Sequence, residues 1–241
     1  LVKNLNKSDN QIMLKIIAIY IFDIIDHFYH QKRIINFILK QKISINNFID
    51  VGSHLGTYSD LILKYFSKTK IFMVEPQKDI FEKIKIKYKK NKKIKIFNFA
   101  ISDKNSQKNI FINYHDLTSS LTEFNYNNSY LKLKSKIFNT TPKGMIRKKL
   151  KIKTVKMDTL ISNNKIDEID LIKIDTEGHE LEVLKGIENK ISKIKNILIE
   201  FHNDEIFHGY DPDKVHQYLK KNNFVLLKRF KFPFTTWEDR F

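Results

Sequence analysis

The sequence has no cysteine, and its 241 residues include only six glycines, four prolines and four arginines. Without cysteine, the chain can form neither disulfide bonds nor metal sites with thiolate ligands. It also has no apolar run that could span a bilayer, which takes about 20 residues. The longest uncharged apolar run is 16–22, and no small-residue cleavage site of a leader peptide follows it. We therefore expect no transmembrane segment and a cytoplasmic location.

The scarcity of arginine affects how the strong positive charge is interpreted. The net charge is +17, and 40 of the 44 basic residues are lysines. Such a balance is compatible with nucleic acid, an anionic membrane surface or an acidic substrate. Proteins that read phosphates and bases, however, favour the planar arginine fork. The lysine excess therefore indicates a biased coding composition and does not favour a nucleic-acid partner.

The N-terminal part of the chain is apolar, but Lys15, Asp23 and Asp26 interrupt it. This pattern predicts one or two helices over about 10–41 that pack on the main domain. A peripheral membrane contact through 10–30, or a contact between two copies, is the alternative. We assign 1–45 to a helical extension and 46–241 to one domain, and the sequence does not predict the oligomeric state.

From residue 46 onward, short apolar runs alternate with amphipathic segments. The predicted strands are Phe48–Val51, Lys70–Val74, Ile94–Phe99, Ile169–Ile174, Ile197–Phe201 and Phe224–Phe230. The predicted helices are Thr57–Ser67, Lys78–Lys90, Glu180–Glu188 and Asp211–Lys221. This alternation is typical of an α/β fold, a mostly parallel sheet with helices on both faces. A lysine-rich insert over about 102–167 interrupts it, and we expect two hairpin strands there, Asn109–Tyr114 and Leu150–Met157, and a cover for the site.

Residues 46–57 have the pattern of a strand, a glycine turn and a helix. Gly52 and Gly56 bracket the turn, and glycine is needed where φ is positive or where a ligand touches the backbone. The backbone of this turn, with Ser53, is therefore a candidate ligand contact. Glu75 ends the next strand 23 residues after Gly52, close to the roughly 20 expected for an acid that binds ribose hydroxyls. Two neighbouring parallel strands would bring Glu75 beside the turn.

The charge of this turn indicates which nucleotide it binds. The turn has no lysine, and its Gly-x-x-x-Gly spacing matches neither a Walker loop nor a dinucleotide fingerprint. Asp50, just before the first glycine, would repel a pyrophosphate and attract a positive charge. S-adenosylmethionine has a ribose, a sulfonium and an ammonium but no phosphate, so electrostatics favour it over NAD or ATP. Ala100, Ile101 and Asp103 follow the third strand, where an adenine ring would lie.

Two later strands end in groups that could carry the chemistry. Asp175 ends a central strand, at the edge where open α/β sheets bind ligands. Lys173 shares its face and, if buried, needs a carboxylate partner; the candidates are Asp50, Asp175 and Glu177. Glu200 and His202 end the next strand. These groups suit acid–base chemistry; as an alternative, Asp175, Glu177, Glu200 and His202 could bind a divalent ion, but we assign no metal.

Together these stretches resemble the FkbM-type family of S-adenosylmethionine-dependent methyltransferases, over about 46–230. The matching segments are 48–57, Val74-Glu-Pro76, 98–103, Asp158-Thr-Leu160, 170–186 and Glu200-Phe-His202. The resemblance implies a Rossmann-like class I methyltransferase fold, with one reversed strand in a seven-stranded sheet. It implies an S-adenosylmethionine site at Asp50, Gly52, Gly56 and Glu75. The family's loop commonly reads Gly-Ala-Asn; the change to Gly52-Ser53-His54 does not remove cofactor binding, although His54 could alter contacts at the methionine end.

The resemblance also implies O-methylation of a hydroxyl on a sugar, a glycan or a secondary metabolite. Asp175 and His202 are alternative bases for removing the hydroxyl proton, and Glu177 is a third candidate catalytic residue. Two other functions stay open. One is an RNA methyltransferase that uses the basic run 143–156 as its track, and the other is a non-catalytic module that keeps the fold.

Overall fold

A computed structural model describes residues 29–113, 119–203, 205–232 and 237–241. Its strands are β1 (Asn47–Val51), β2 (Lys70–Val74), β3 (Ile94–Phe97), β4 (Ala100–Ile101), β5 (Ser106–Asn113), β6 (Ile146–Val155), β7 (Leu171–Ile174), β8 (Ile197–His202), β9 (Arg229–Lys231) and β10 (Trp237–Arg240). Its α-helices are α1 (Gln31–Lys40), α2 (Thr57–Tyr65), α3 (Lys78–Lys87), α4 (Ser129–Ile137), α5 (Met157–Asn163), α6 (Glu180–Lys185) and α7 (Pro212–Lys221). Two short 3-10 helices cover Lys143–Met145 and Glu188–Lys193.

Seven strands form one sheet in the order β3-β2-β1-β7-β8-β10-β9. The pairs from β3 to β8 are parallel, whereas β10 runs antiparallel to both β8 and β9. The prediction of a mostly parallel seven-stranded sheet with one reversed strand is confirmed. Because β1, β2, β7 and β8 run in the same direction, their carboxyl ends meet at one edge.

The alternation of side chains along the strands separates two apolar cores. Ile49 and Val51 of β1 face a core that α5, α6 and α7 complete. Phe48, the strand neighbour of Ile49, faces the opposite core, to which α1, α2 and α3 contribute. Asp50 and Lys173 point to this second face together with Phe48, because side chains two residues apart on a strand share a face. Helices therefore cover both faces, as the sequence predicted.

The predicted insert contributes β5 and β6 to a second, smaller sheet, which has the order β4-β6-β5. Of the predicted hairpin strands, 109–113 lie in β5 and 150–155 lie in β6, and these two strands pair antiparallel. Tyr114 lies outside the described residues, and the second prediction is wrong over 156–157, because α5 begins at Met157. The predicted insert also contains α4, which the apolar pattern did not reveal. The limits of the extension, the main domain and the insert stay predictions.

The predicted strand Phe224–Phe230 is wrong over 224–228. The backbone amide of Phe224 bonds back to the Leu219 carbonyl and closes the end of α7. Phe241 pairs with Leu227 and Lys228, and the strand itself begins only at Arg229, where the partner β10 is available. The reversed strand β10 was missing from the element predictions.

Of the predicted N-terminal helices, the structure describes only α1. Ile34, Ile35 and Ile38 recur at helical spacing, and all three are buried against the second core. Residues 10–28 lie outside the described residues, and with them most of the predicted membrane contact. In the part of the chain that the structure describes, no helix is long and apolar enough to cross a bilayer. The cytoplasmic location stays a prediction.

The side chain of His30, just before α1, links this helix to the reversed strand β10. Its Nε2 lies 2.7 Å from a carboxylate oxygen of Asp239, and both side chains are buried. We expect His30→Ala to lower the free energy of unfolding by about 3 kcal/mol or more, because it leaves a buried carboxylate without its partner. Asn36→Ala, on the exposed side of the same helix, should change it by less than about 0.5 kcal/mol. Urea unfolding of both variants measures the difference, and equal effects would contradict the role of the pair.

Candidate active site

The glycine turn after β1 rests directly on the loop after β7. Gly52 has a φ of +75°, and a Cβ at this position would overlap the carbonyl oxygen of Asp175. The amides of Gly52 and Ser53 both donate to the Val74 carbonyl, at 3.1 Å. Glycine is thus required here by the backbone conformation and by the contact with the protein's own main chain.

The second glycine of the turn packs against α3. Gly56 has a φ of +77°, and a Cβ there would lie 2.5 Å from the hydroxyl oxygen of Tyr88. This hydroxyl donates to the Gly56 carbonyl at 2.9 Å and lies 2.8 Å from a carboxylate oxygen of Asp60. Contacts with the protein's own residues therefore hold the turn at both of its glycines.

Asp50 is buried on the face of the sheet that α2 covers. One carboxylate oxygen accepts a hydrogen bond from Ser59 Oγ at 2.7 Å, and among the described residues the other oxygen has no hydrogen-bond partner. Burial raises the pKa of Asp50, although the nearby Lys173 ammonium acts in the opposite direction. The residue thus presents a buried carboxylate with unused acceptor capacity.

Glu75 lies beside the turn, as the spacing predicted. Its two carboxylate oxygens accept one backbone bond each, from Gln77 N at 2.7 Å and from His54 N at 2.9 Å. Burial raises the pKa of Glu75 to about 7, against the effect of these two bonds. Each oxygen has a further lone pair, so the carboxylate can still accept hydroxyl donors.

The structure separates the three residues that were predicted to surround an adenine ring. Ala100 and Ile101 form β4 and line the same cleft as Glu75. Asp103 is not among the described residues that line this cleft. Its carboxylate accepts from Ser102 Oγ at 2.9 Å and from Lys108 Nζ at 3.1 Å. The adenine role of all three residues stays a prediction, and only Ala100 and Ile101 line the cleft.

The cleft at this edge of the sheet is acidic. Its described lining consists of Val51, Gly52, His54, Val74, Glu75, Pro76, Gln77, Ala100, Ile101, Ile110, Ser119, Leu121, Asp175, Thr176 and Glu177. Three carboxylates are present in this set, but no lysine or arginine. In a chain with a net charge of +17, such a lining disfavours phosphate groups and favours a cationic ligand.

Lys173 bonds with Asp175, one of its three candidate partners. The Nζ atom lies 2.7 Å from a carboxylate oxygen of Asp175 and 4.7 Å from the centre of the Tyr58 ring. Burial works against the charge of this lysine, but Asp175 and Asp50 together keep its pKa above the usual value. The buried ammonium therefore interacts with the carboxylates of both Asp175 and Asp50.

Asp175 also hydrogen-bonds with Glu200. Burial and the nearby Asp175 charge raise the pKa of Glu200 well above its usual value. Burial has the same effect on Asp175, but Lys173 and the bond from Glu200 outweigh it and lower the pKa of Asp175. These opposite shifts favour the proton on Glu200 and the ionised form on Asp175.

His202 lies behind the cleft. It is buried, and its Nε2 lies 3.6 Å from a carboxylate oxygen of Glu177. Its ring packs edge-on against Phe207 and Tyr210. Asp175 and Glu177 line the cleft, but Glu200 and His202 do not. The four predicted groups therefore lie together, with Asp175 and Glu177 at the cleft wall and Glu200 and His202 behind it.

The acidic members of this group also have a metal-ligand spacing. Carboxylate oxygens of Asp175, Glu177 and Glu200 lie within 4.8 Å of one another. Such a cluster can hold a divalent ion through oxygen ligands, and the assignment of no metal stays a prediction.

Glu180 is a residue of the site that the sequence assigned only to the start of a helix. Its Oε1 accepts from Thr176 N and Thr176 Oγ1, both at 3.0 Å, and from Gly178 N at 3.2 Å. Burial raises the pKa of Glu180 to about 7. The side chain turns back and fixes the loop that carries Glu177. An acid two residues after a glycine at a helix start was the available signal, but it indicates an N-terminal helix charge equally well.

The insert covers this loop. Ser120 Oγ donates to the Glu177 carbonyl, and Thr122 Oγ1 donates to the Gly178 carbonyl at 2.7 Å. Three lining residues come from the insert: Ile110, Ser119 and Leu121. One wall of the cleft is therefore made by the part of the chain that was predicted to cover the site.

The strand order and the position of the cleft define the class of the protein. A sheet with one reversed strand near one end, and a ligand cleft at the carboxyl ends of its first and central strands, is the fold of class I S-adenosylmethionine-dependent methyltransferases. The cofactor of this class is S-adenosylmethionine.

The chain belongs to the FkbM methyltransferase domain family, whose model matches residues 50–226. A curated relative, the hexuronic acid methyltransferase AglP of Haloferax volcanii, is 28% identical over 172 residues. These residues are 71% of this chain and 60% of that protein, so the chain spans about three fifths of the length of this relative.

Solved structures with a similar fold include two S-adenosylmethionine enzymes. The magnesium protoporphyrin IX methyltransferase of Synechocystis PCC 6803, with bound cofactor, has a TM-score of 0.49 and 8% identity over 98% of this chain and 83% of its own. A methyltransferase of Aquifex aeolicus has a TM-score of 0.45 and 13% identity over 90% of each chain. The fold assignment depends on the strand order and the family, not on these superpositions.

The contact between Gly52 and Asp175 can be tested by adding one methyl group. Gly52→Ala must adopt a left-handed backbone, which costs about 1–2 kcal/mol, and must also displace the Asp175 carbonyl, which we expect to cost about 1–3 kcal/mol more. Gly209→Ala is the matched control, because Gly209 has a φ of +71° but no neighbour within 4 Å of the added Cβ. Urea unfolding should therefore show a clearly larger loss of stability for Gly52→Ala. An equal loss in both variants would show that the contact is not tight.

Proposed function

We propose that this chain transfers the methyl group of S-adenosylmethionine to a hydroxyl of a sugar or glycan. The observation that carries the proposal is the cleft with three carboxylates and no lysine or arginine in its described lining. The family supports the cofactor, and the name of the curated relative, a hexuronic acid methyltransferase, supports a sugar acceptor. A hydroxyl of a secondary metabolite is the wider class to which the same chemistry applies.

The residues at the turn fit the cofactor. Asp50 has a buried oxygen without a described partner, and it can attract the cationic part of the molecule. Glu75 can accept ribose hydroxyls, while Ala100 and Ile101 offer an apolar wall for the adenine ring. Gly52 and Ser53 contribute backbone between these two walls. No group in the described lining requires a phosphate.

Asp175 is the base in the mechanism that we propose. Bound S-adenosylmethionine supplies an electrophilic methyl carbon. The Asp175 carboxylate would take the proton of the acceptor hydroxyl as its oxygen accepts the methyl group, with the demethylated cofactor as the leaving group. The side chain of Asp175 is 30% exposed and lines the cleft, whereas His202 is buried behind Glu177. We therefore assign His202 to holding Glu177 in place.

Most of the rate acceleration would come from alignment of the acceptor oxygen with the methyl carbon. Lys173 and Glu200 hold Asp175 from two sides, and Glu180 holds the loop next to it. These contacts are made by the chain itself, so the base is in position before the acceptor arrives. The partial exposure of Asp175 lets the proton leave to solvent after transfer.

A labelled-methyl assay tests the function. The full chain is incubated with methyl-labelled S-adenosylmethionine and, separately, with neutral oligosaccharides, uronic-acid oligosaccharides and RNA. We expect label in a saccharide fraction, in a form stable to mild alkali, because a methyl ether resists hydrolysis and a methyl ester does not. Label in RNA alone would contradict the sugar acceptor. Cofactor binding without any transfer would favour a non-catalytic module.

The pKa of Glu75 predicts how cofactor affinity depends on pH. With a pKa of about 7 in the empty protein, the carboxyl holds its proton below pH 7 and loses it above. A carboxylate accepts two hydroxyl donors better than a carboxylic acid does, so affinity should rise between pH 6 and pH 8. Glu75→Gln should remove most of this rise and weaken binding at pH 8 by about 1–3 kcal/mol. Calorimetric titration with S-adenosylmethionine measures both effects, and an unchanged affinity would refute the ribose role.

The base can be tested without disturbing the cofactor site. Asp175→Asn should lower turnover by about a hundredfold or more, since general-base catalysis contributes about 10²–10⁴-fold. Its affinity for S-adenosylmethionine should change little, because the nucleoside contacts lie on β1, β2 and β4. Asp79→Asn, the same change at an exposed position of α3, should retain full turnover. Full activity of Asp175→Asn in the labelled-methyl assay would rule out Asp175 as the base.

A further inference from the structure

A cavity lies at the edge of the sheet opposite to the cleft. Its volume is about 570 Å³, within the range of about 300–1,000 Å³ that is typical of ligand pockets. Its described lining comes from 191–201, which leads into β8, from 216–227, which starts in α7, and from Arg240 and Phe241 at the end of β10. The cavity shares no described lining residue with the cleft. It is therefore separate from the site described above.

The apolar run 224–227 forms part of the wall of this cavity. It belongs to the predicted strand that the structure does not form, and none of its four side chains is fully buried. Val225 is 77% exposed and Leu227 is 56% exposed. Other lining residues are buried members of the core that α5, α6 and α7 complete: Ile194, Ile197, Ile199 and Phe201. Because covering apolar surface favours binding, this wall suits an aliphatic chain.

The charged residues in the described lining are all basic. Lys195, Lys221 and Arg240 line the cavity, and no aspartate or glutamate does. Lys195 also pairs with Glu168 and Asp170, which are outside the lining. Lys221 is exposed at the last residue of α7. A ligand in this cavity therefore meets positive charge, whereas a ligand in the cleft meets negative charge.

Arg240 is the cation in the best position to bind an anionic group. Its side chain is 12% exposed, and its Nε donates to a carboxylate oxygen of Glu238 at 2.8 Å. Its Cζ lies 3.8 Å from the centre of the Phe201 ring, so the guanidinium is held on its edge and on its face. Among the described residues, its hydrogen bond goes through Nε alone. The two terminal nitrogens thus keep their donors, in the fork that matches a carboxylate.

An apolar wall and one oriented guanidinium together define the chemistry of a ligand. We propose that this cavity binds a fatty carboxylate, with the carboxylate on the terminal nitrogens of Arg240 and the aliphatic chain along the run 224–227. The carboxylate takes the donors that Glu238 does not use. The chain covers apolar side chains that water otherwise reaches. This site is distinct from the cleft, so the proposal does not depend on the acceptor of the methyl group.

The size of the exposed apolar surface favours a small ligand over a second copy of the chain. A stable interface buries about 800 Å² on each partner. Val225 and Leu227 are the only large apolar side chains in the described lining that are more than half exposed. Two such side chains do not supply the apolar centre of an interface, whereas a concave and mostly apolar pocket is typical of small-molecule sites.

Calorimetric titration of the full chain with three probes of equal chain length tests the proposal. The probes are decanoate, decan-1-ol and decyltrimethylammonium, each below its micelle concentration. We expect decanoate to bind at one site and to raise Tm, the alcohol to bind more weakly and the cation most weakly. Arg240→Gln should weaken decanoate binding by about tenfold or more, because it removes hydrogen bonds to a charged group. Its effect on the alcohol should be clearly smaller.

A second pair of variants leaves the buried residues unchanged and decides the question if Arg240→Gln does not fold. Val225→Glu places a negative charge on the exposed wall of the cavity and should weaken decanoate binding by about threefold or more. Ile86→Glu is the matched control, because Ile86 is 74% exposed on α3 and does not line the cavity. This control should bind decanoate as the wild type does. Urea unfolding checks that each variant is folded.

Three results would overturn the proposal: no saturable binding of decanoate, equal affinity for decanoate and decyltrimethylammonium, or equal loss of affinity in Val225→Glu and Ile86→Glu. Light scattering of the wild type and of Val225→Glu examines the other occupant. A dimer that Val225→Glu dissociates, in a protein that does not bind decanoate, would assign the run 224–227 to a contact between two copies instead.

Discussion

The contact between the turn after β1 and the loop after β7 is the constraint on which the site depends. The two strands are parallel neighbours, with Val51 opposite Ile174, and the Asp175 amide donates to the Val51 carbonyl at 3.1 Å. Gly52 and Asp175 therefore leave the sheet side by side, and the lack of a Cβ at Gly52 lets the two main chains touch. As a result, the turn after β1 and the loop after β7 form one unit at the edge of the cleft. A shift of either loop would change both.

The same edge gathers several acids whose pKa is raised by burial, and a bound cation or hydrogen-bond donor would favour their ionised form. Burial raises the pKa of Asp50, Glu75, Glu180 and Glu200, whereas Asp175 beside Lys173 has a lowered pKa. In a protein with a net charge of +17, this acidity is local and the basic charge lies outside it, on the insert in particular. This separation of an acidic cleft from a basic outer surface suits a reaction whose methyl donor is cationic. It also explains why the total charge of the chain is a poor guide to the ligand in the cleft.

The sequence predicted those parts of the fold that depend on local pattern. The strand-turn-helix unit at Gly52, the place of Glu75 beside it and the parallel central strands follow from spacing and alternation alone. The partner of Lys173 could not be predicted, because three carboxylates lie at the same edge and only packing decides between them. Asp103 and Glu180 show the same limit: Asp103 bonds to the side chains of Ser102 and Lys108, Glu180 bonds to the amides of Thr176 and Gly178, and none of these bonds has a sequence signal. The strand β10 is four residues long, too short for a pattern of period two to stand out.

The position of Asp175 between Lys173 and Glu200 explains how a carboxylate with a lowered pKa could serve as the proposed base. Lys173 holds one of its oxygens, and the protonated Glu200 donates to the carboxylate. The opposite pKa shifts of the two acids favour the proton on Glu200 and the ionised form on Asp175, which lines the cleft. In methyl transfer the acceptor oxygen becomes strongly acidic as its bond to carbon forms, so a weak base suffices if it is already in place. Position, not basicity, is therefore what the surrounding residues provide, and the contacts of Lys173, Glu200 and Glu180 all serve that position.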